Sequence, residues 1–304
     1  MNPSNYRIVQ DPTYGYRHLD PIPGQEELQV FYESRYYHLI RKGVRTSELQ
    51  RLMEGGAAAE RERRWLRAGL HTDIVELLQK TAKGKRLLEI GCGTGDFLAF
   101  ARENGFQVVG IEPSAEAVER AVANGLTVHA TTLENFCGQS SPGETGKFDA
   151  VVMLNVLEHV PDPVTTLQQC RRLLNPEGVV VIRVPNDFSE IQEAAKAQIQ
   201  SREWWVAVPD HINYFNLQSL CALLKGVGFD VVHAQGDFPM EMFLLMGDDY
   251  VGNPEVGGRC HERRVRFDLA LPPALRRKIY SALASVGVGR DTLVFGKRCA
   301  RAGD

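Results

Sequence analysis

Short apolar runs separated by amphipathic stretches fill the middle of this 304-residue chain. Arg86–Ile90 (RLLEI), Gln107–Ile111 (QVVGI), Thr127–Ala130 (TVHA), Phe148–Leu154 (FDAVVML), Val179–Val184 (VVVIRV) and Phe229–Ala234 (FDVVHA) read as strands. Helical punctuation marks the segments between them. The run Asp96–Asn104 stops at Gly105, and Ser114 caps a helix that Gly125 ends. Asp162 caps another, with Pro163 in its first turn, which runs to about Leu174 and stops at Asn175-Pro176-Glu177-Gly178. Asn216 caps a further helix that ends near Gly226–Gly228. Alternation of this kind requires crossover helices between parallel strands. With a last β-like run at Asp291–Arg298, the pattern predicts an α/β fold: a doubly wound, mostly parallel seven-stranded sheet.

Two regions fall outside this rhythm and divide the chain. Residues 1–84 hold an aromatic cluster (Phe31–Tyr37) and a charged helical stretch (AAERERRWLRAGL), which predicts a helical N-terminal cap. Residues 85–239 and 291–304 form the α/β domain. Residues 240–290 are an insertion before the last strand, with a loop-like start and a basic run (RCHERRVRF), and are the expected substrate-pocket element.

Composition narrows the possibilities. A net charge of −3 argues against a general nucleic-acid binder, which needs a basic surface to neutralise phosphates. No apolar run approaches the roughly 20 residues of a membrane helix, and MNPSNYRIVQDP lacks the apolar core of a signal peptide. The six cysteines are scattered, without a C-x-x-C pair, so reduced thiols in a cytoplasmic protein and no metal site are expected.

The chemistry starts at the turn after the first central strand, Gly91-Cys92-Gly93-Thr94-Gly95-Asp96. A dinucleotide-binding turn spaces its glycines G-x-G-x-x-G, but Asp96 stands where the third would fall. The Lys-Ser/Thr ending of a phosphate-binding P-loop is missing too. A ligand without a pyrophosphate suits the G-x-G-x-G spacing better. S-adenosylmethionine is one, with two free ribose hydroxyls. Glu112, seventeen positions past Gly95 at the end of the second central strand, can accept hydrogen bonds from both.

E-x-G-x-G-x-G (Glu89–Gly95) with Glu112 resembles the class I S-adenosylmethionine-dependent methyltransferases. FDAVVMLNVLEHVPDP (Phe148–Pro163) is similar to that family's fourth-strand motif, and LLNPEGVVVIRVPN (Leu173–Asn186) to its fifth. DHINYFNLQSLCALLKGVGF (Asp210–Phe229) resembles a small-molecule subgroup in which D-H-x-x-Y-F precedes a helix. The resemblance covers about Lys85–Ala234 and implies a Rossmann-like methyltransferase fold. Pro21–Tyr37 also resembles a lead-in found in relatives with a zinc ribbon, but the ribbon cysteines are missing here. For the cofactor, S-adenosylmethionine with S-adenosylhomocysteine as product, the resemblance implies Glu89, Gly91, Cys92, Gly93, Gly95 and Phe97 around the methionine end. It implies Glu112 and Pro113 at the ribose, and Thr132 and Leu133 at adenine. Asn155 and Val156 would border the crevice, and Tyr37 would close over it. Many relatives carry Asp where Thr132 stands.

Methyl transfer asks the protein mainly to align nucleophile and electrophile and to exclude water. A base is needed when the acceptor is a protonated hydroxyl. His211 is the leading candidate, with Asp210 beside it, and His159 is the second; a packing role stays open for each. Trp204, Trp205 and Tyr214 could wall an organic acceptor or only pack a lid. Arg259 and Arg263 could meet an anionic acceptor or belong to a solvated helix face. The expectation is therefore a methyltransferase of a small-molecule acceptor, as a monomer or homodimer without nucleic-acid or membrane partners. O-methylation is preferred on the strength of His211. N- or C-methylation, a non-catalytic S-adenosylmethionine-binding protein, a nicotinamide oxidoreductase and a protein or RNA methyltransferase are the alternatives.

Overall fold

The computed structural model describes residues 6–24, 27–28, 51–52, 55–138 and 147–300. Its strands are β1 (Arg7–Gln10), β2 (Arg17–Asp20), β3 (Arg86–Ile90), β4 (Gln107–Glu112), β5 (Val128–Ala130), β6 (Phe148–Leu154), β7 (Leu174–Pro185), β8 (Asn213–Tyr214), β9 (Phe229–Gly236) and β10 (Asp291–Arg298). Helices flanking the first central strands are α1 (Gly56–Leu66), α2 (Thr72–Thr81), α3 (Asp96–Glu103), α4 (Ala115–Ala123) and α5 (Leu133–Gly138). Later come α6 (Pro163–Leu173), α7 (Glu190–Ile199), α8 (Leu217–Gly226), α9 (Glu241–Leu245), α10 (Pro254–Ala270) and α11 (Pro273–Ser285).

All six apolar runs and the last β-like run enter one sheet, in the order β5-β4-β3-β6-β7-β10-β9. The first five of these are parallel, and β10 runs antiparallel to both neighbours. The strand order reverses between β3 and β6, which opens a crevice at their C-terminal ends. Alternate residues serve opposite faces. Leu88, Ile90, Val180, Ile182 and Val184 join one buried cluster, and Leu87, Val179 and Val181 join the other. Burial on both faces is why these strands are nearly continuous apolar runs in the sequence.

The caps form where expected. Ser114 Oγ accepts from the Ala117 N–H, Asp162 accepts from the Thr165 N–H with Pro163 next in line, and Asn216 forms a reciprocal capping box with Ser219. Helix α6 stops before Asn175–Gly178 as expected, at Leu173, but the next strand starts earlier than Val179. These residues belong to β7, which pairs Leu174 with Phe148 and absorbs a register shift before Ala150. Glu177 takes φ 62° there. Turn-forming residues become a bulge once the neighbouring strand offers its hydrogen bonds.

The N-terminal region is more than helical. β1 and β2 form a hairpin that β8 extends into a separate three-stranded antiparallel sheet. α1 passes through a π-helical turn (Arg67–His71) into α2. Tyr37 and the cluster around it lie outside the described residues. The insertion holds α9, α10 and α11, and α10–α11 fasten to the α1–α2 layer. Trp65 Nε1 donates to Asp268 at 2.8 Å, Tyr280 donates its hydroxyl to the same carboxylate, and Arg276 meets Asp73 at 3.1 Å. Among the described residues no helix is long and apolar enough to cross a membrane.

Candidate active site

The glycine turn follows β3 directly. Gly91, Gly93 and Gly95 all have positive φ, at 69°, 51° and 81°. The space around them differs. A Cβ on Gly91 would lie 2.6 Å from Val156 Cγ2, and one on Gly95 would lie 2.3 Å from Leu126 Cδ1. A Cβ on Gly93 would meet nothing within 4 Å. Two glycines are therefore required by packing, and the middle one borders open space, where a ligand can approach bare backbone. Val156, from the far side of the crevice, makes the Gly91 contact.

Glu112 closes the turn from β4. One carboxylate oxygen accepts from the Gly93 N–H at 3.0 Å and the other from the Ser114 N–H at 2.9 Å. These bonds aim the carboxylate and leave further lone pairs on it. Pro113 is exposed beside it. Glu89 is buried at the end of β3, and its Oε2 has no hydrogen-bond partner among the described residues. Burial, reinforced by the Asp96 and Glu112 charges, holds its pKa well above the usual carboxylate range, against a backbone bond from Leu98. An orphaned buried carboxylate oxygen is costly unless a cation or donor meets it. A ligand bearing an ammonium and two vicinal hydroxyls fits Glu89, Gly93 and Glu112 together.

The remaining cradle residues have distinct places. Cys92 is buried, with its sulfur over Gly110, and Phe97 is buried edge-on to His71. The Thr132 hydroxyl accepts from the Asn135 N–H as the cap of α5, and Leu133 is buried under it. Asn155 adopts φ 58° just past β6. Its side-chain oxygen accepts from Arg183 at 2.7 Å, and Arg183 pairs with Asp291 at 2.6 Å. Asn155 thus anchors a buried ion network behind the crevice.

The acceptor side is assembled by the D-H-x-x-Y-F segment docking on the short helical turn Leu157–His159. The Ile212 N–H donates to the Glu158 carbonyl at 2.8 Å, and the Asn213 side-chain amide donates to the carbonyls of Leu157 and Val160. This docking brings Asp210 to His159. His159 Nδ1 donates to the Asp210 carbonyl at 2.8 Å and lies 3.2 Å from its carboxylate. His211 sits edge-on to His159, ring centres 5.0 Å apart. Burial alone would depress the His159 pKa, but the Asp210 charge and hydrogen bond, with Glu158, lift it to about 9. Glu158 is itself raised to about 7 by burial, against the pull of His159. Glu158, His159 and His211 also offer ligand atoms within 4.8 Å of one another, a donor set suited to a metal cation. The sequence reading expected no metal, because it looked for cysteine pairs. E-H and D-H, fifty residues apart, carry no ligand spacing that a linear scan detects.

Trp204, Trp205 and Tyr214 form one aromatic group with Phe188, which sequence reasoning missed. Phe188 meets Trp205 at 5.5 Å and Tyr214 at 5.8 Å between ring centres, and Trp204 is edge-on to Trp205. Tyr214 also neighbours His211. Arg259 and Arg263 are not part of this group. They stand exposed on α10, paired with Glu255 and Asp248.

A doubly wound sheet with a glycine turn at its switch point and an acid at the next strand end is the frame of a nucleoside-ligand fold. The chain belongs to the methyltransferase-domain family, whose profile matches residues 59–234. It is 38% identical over 109 residues to a ubiquinone biosynthesis O-methyltransferase of Haemophilus ducreyi, covering 34% of this chain and 46% of that protein. It is 34% identical over 134 residues to one of Actinobacillus pleuropneumoniae serotype 5b, covering 42% and 55%. The chain thus spans about half the length of the curated relatives it matches. Among solved structures, a SAM-dependent methyltransferase from Archaeoglobus fulgidus superposes with TM-score 0.50 at 16% identity, covering 86% of this chain and 100% of that one. The plantazolicin methyltransferase BpumL, in complex with SAH, superposes with TM-score 0.51 at 16% identity, covering 90% and 93%. Both show the fold.

Proposed function

We propose that this protein transfers a methyl group from S-adenosylmethionine to a hydroxyl oxygen of a small organic acceptor. The observation that carries the reading is the pair of imidazoles, His159 and His211, placed together past the end of β6, next to the strand that bears the glycine turn. The curated relatives, by name O-methyltransferases of ubiquinone biosynthesis, support oxygen as the acceptor atom. When bound, S-adenosylmethionine supplies an electrophilic methyl on a positively charged sulfur. In this reading Glu89 receives its ammonium, Glu112 its ribose hydroxyls and Gly93 its close approach, while Leu133 lies against adenine.

The chain's own contribution on the acceptor side is proton handling. A hydroxyl oxygen gains a carbon only as it loses its proton. We assign His211 as the group that takes it. His159, held by Asp210 and protonated at neutral pH, would face the oxygen with positive charge and lower the cost of the oxyanion. Asp210 is then a positioning residue for His159, and the aromatic group around Phe188 excludes water.

The test is turnover to S-adenosylhomocysteine with a panel of phenols and catechols. His211→Gln should lower kcat by about 10²–10⁴-fold, the range for a lost general base, with S-adenosylhomocysteine affinity intact. An unchanged kcat would retire His211. A second reading rests on Glu158, His159 and His211 as a donor set: a bound divalent cation would hold the acceptor oxygen in place of the imidazolium. Loss of turnover on chelation, restored by added metal, would favour it.

A further inference from the structure

An open cleft of about 700 Å³ lies beside the aromatic group, lined by Ile8 and Arg17 of the hairpin, Phe188, Arg202, Trp204 and Val251, with Ser201, Glu203 and Val206 completing its wall. Arg17 is its most constrained cation. It is the cross-strand partner of Tyr214, and both side chains reach Phe188. The Arg17 guanidinium carbon sits 3.9 Å over the Phe188 ring centre. Phe188 is held beneath it in the left-handed region, φ 54°, directly past β7. A guanidinium held over an aromatic ring still carries N–H donors that can fork onto a planar anion. Among the described residues, no carboxylate lies within ion-pair distance of Arg17. Glu203, the acid in the cleft wall, is bonded to Lys196 at 2.9 Å and also feels the Arg17 charge from beyond ion-pair distance. Arg202 is exposed at the rim. Trp204 Nε1, a buried donor in the same wall, has no hydrogen-bond partner among the described residues.

We infer that this cleft is an anionic subsite of the acceptor pocket, in which Arg17 forks onto a carboxylate and Phe188 and Trp204 flank a planar or aromatic body. The inference rests on the small-molecule reading above and adds the charge class of the acceptor. It also moves the anion-binding role from Arg259 and Arg263, which are already paired on the surface of α10, to a residue of the N-terminal hairpin. Val251, from the segment between α9 and α10, gives the insertion a place in the same wall.

The probe is 3,4-dihydroxybenzoate compared with its uncharged amide, 3,4-dihydroxybenzamide. Binding to the full chain is followed by calorimetry and by tryptophan fluorescence, with and without S-adenosylhomocysteine. The wild type should bind the carboxylate at least tenfold more tightly than the amide. Arg17→Gln should erase that preference while leaving affinity for S-adenosylhomocysteine and the melting temperature unchanged, and Arg17→Lys should restore part of it. Equal affinity for the two probes in the wild type, binding of neither at millimolar concentration, or a preference that survives Arg17→Gln would each overturn the inference. Should S-adenosylhomocysteine fail to bind, the methyltransferase reading falls, yet the two-probe comparison needs no cofactor and still decides the role of Arg17.

Discussion

Asp210 bonds to His159, fifty-one positions earlier, with the His159 Nδ1–H on its carbonyl at 2.8 Å and its carboxylate at 3.2 Å. Asp210 lies in a turn, closed by the His211 N–H on the Ala207 carbonyl at 2.8 Å, and both its carboxylate and the His211 ring come to His159.

Asp210→Asn should return the His159 pKa from about 9 toward the ordinary value near 6.5, because the countercharge that outweighs burial is gone. Titration of the His159 ring protons by NMR reads this directly. In the same variant the alkaline limb of the pH–rate profile should move to lower pH. A His159 pKa that stays near 9 would remove Asp210 as its anchor.

Glu112→Ala deletes the acceptor for the Gly93 and Ser114 N–H groups and the proposed ribose contact. Calorimetric affinity for S-adenosylhomocysteine should fall by about 1–3 kcal/mol, the size of hydrogen bonds lost from a charged group. Unaltered affinity would place the ribose elsewhere.

Gly93 and Gly95 should respond differently to alanine although both have positive φ. Gly95→Ala drives a methyl into Leu126 and should lower the melting temperature strongly, through overpacking of about 1–3 kcal/mol. Gly93→Ala projects its methyl into open space, so its main expected effect is weaker cofactor binding. Parallel thermal melts and binding isotherms separate the two, and equal melting losses would contradict the assignment.

Stability should decline on the alkaline side. The His159 pKa is raised in the fold to about 9, so its contribution is complete below about pH 6.5 and is lost as pH rises through 9. Asp187, pushed up by burial to about 8 against the Arg290 charge, acts in the same direction. The melting temperature should fall between pH 6.5 and 9, and His159→Gln should flatten that fall. His71 has the opposite sign. Burial lowers its pKa to about 4, so its own contribution is lost as pH falls from 6.5 toward 4, while Asp187, raised from 3.8, gains over the same range. A melting temperature flat from pH 6.5 to 9, or an acid-side profile that His71→Gln leaves unaltered, would contradict these assignments.

Asp73 is buried against Arg276 and Arg277 where the insertion meets α2. Asp73→Ala leaves a buried guanidinium without its countercharge and should cost about 3–5 kcal/mol in denaturant unfolding. A loss below 1 kcal/mol would show that the backbone carbonyls of Ala68 and Gly69 suffice for Arg276.

Much of the architecture was legible because its signals are local. Double-sided burial makes a parallel strand an apolar run, a cap needs one residue type at one position, and the glycine turn and Glu112 are each contiguous with the strand that carries them. The hairpin β1–β2 escaped detection because its four-residue strands gain their meaning from β8, about two hundred positions away. The bulge at Asn175–Gly178 escaped because turn-forming residues read as a stop until a neighbouring strand supplies the ladder.

By itself the sequence determined the order of strands and helices, the cofactor-type turn and the identity of the acid that faces it, since short-range sterics and hydrogen bonding dictate all three. Only the tertiary structure decided which carboxylate reaches His159, and which arginine lies over an aromatic ring rather than paired on a helix surface. It also decided that the insertion locks onto the helices before β3. Those are long-range choices, set by which segments the packed sheet brings side by side, and no spacing along the chain encodes them.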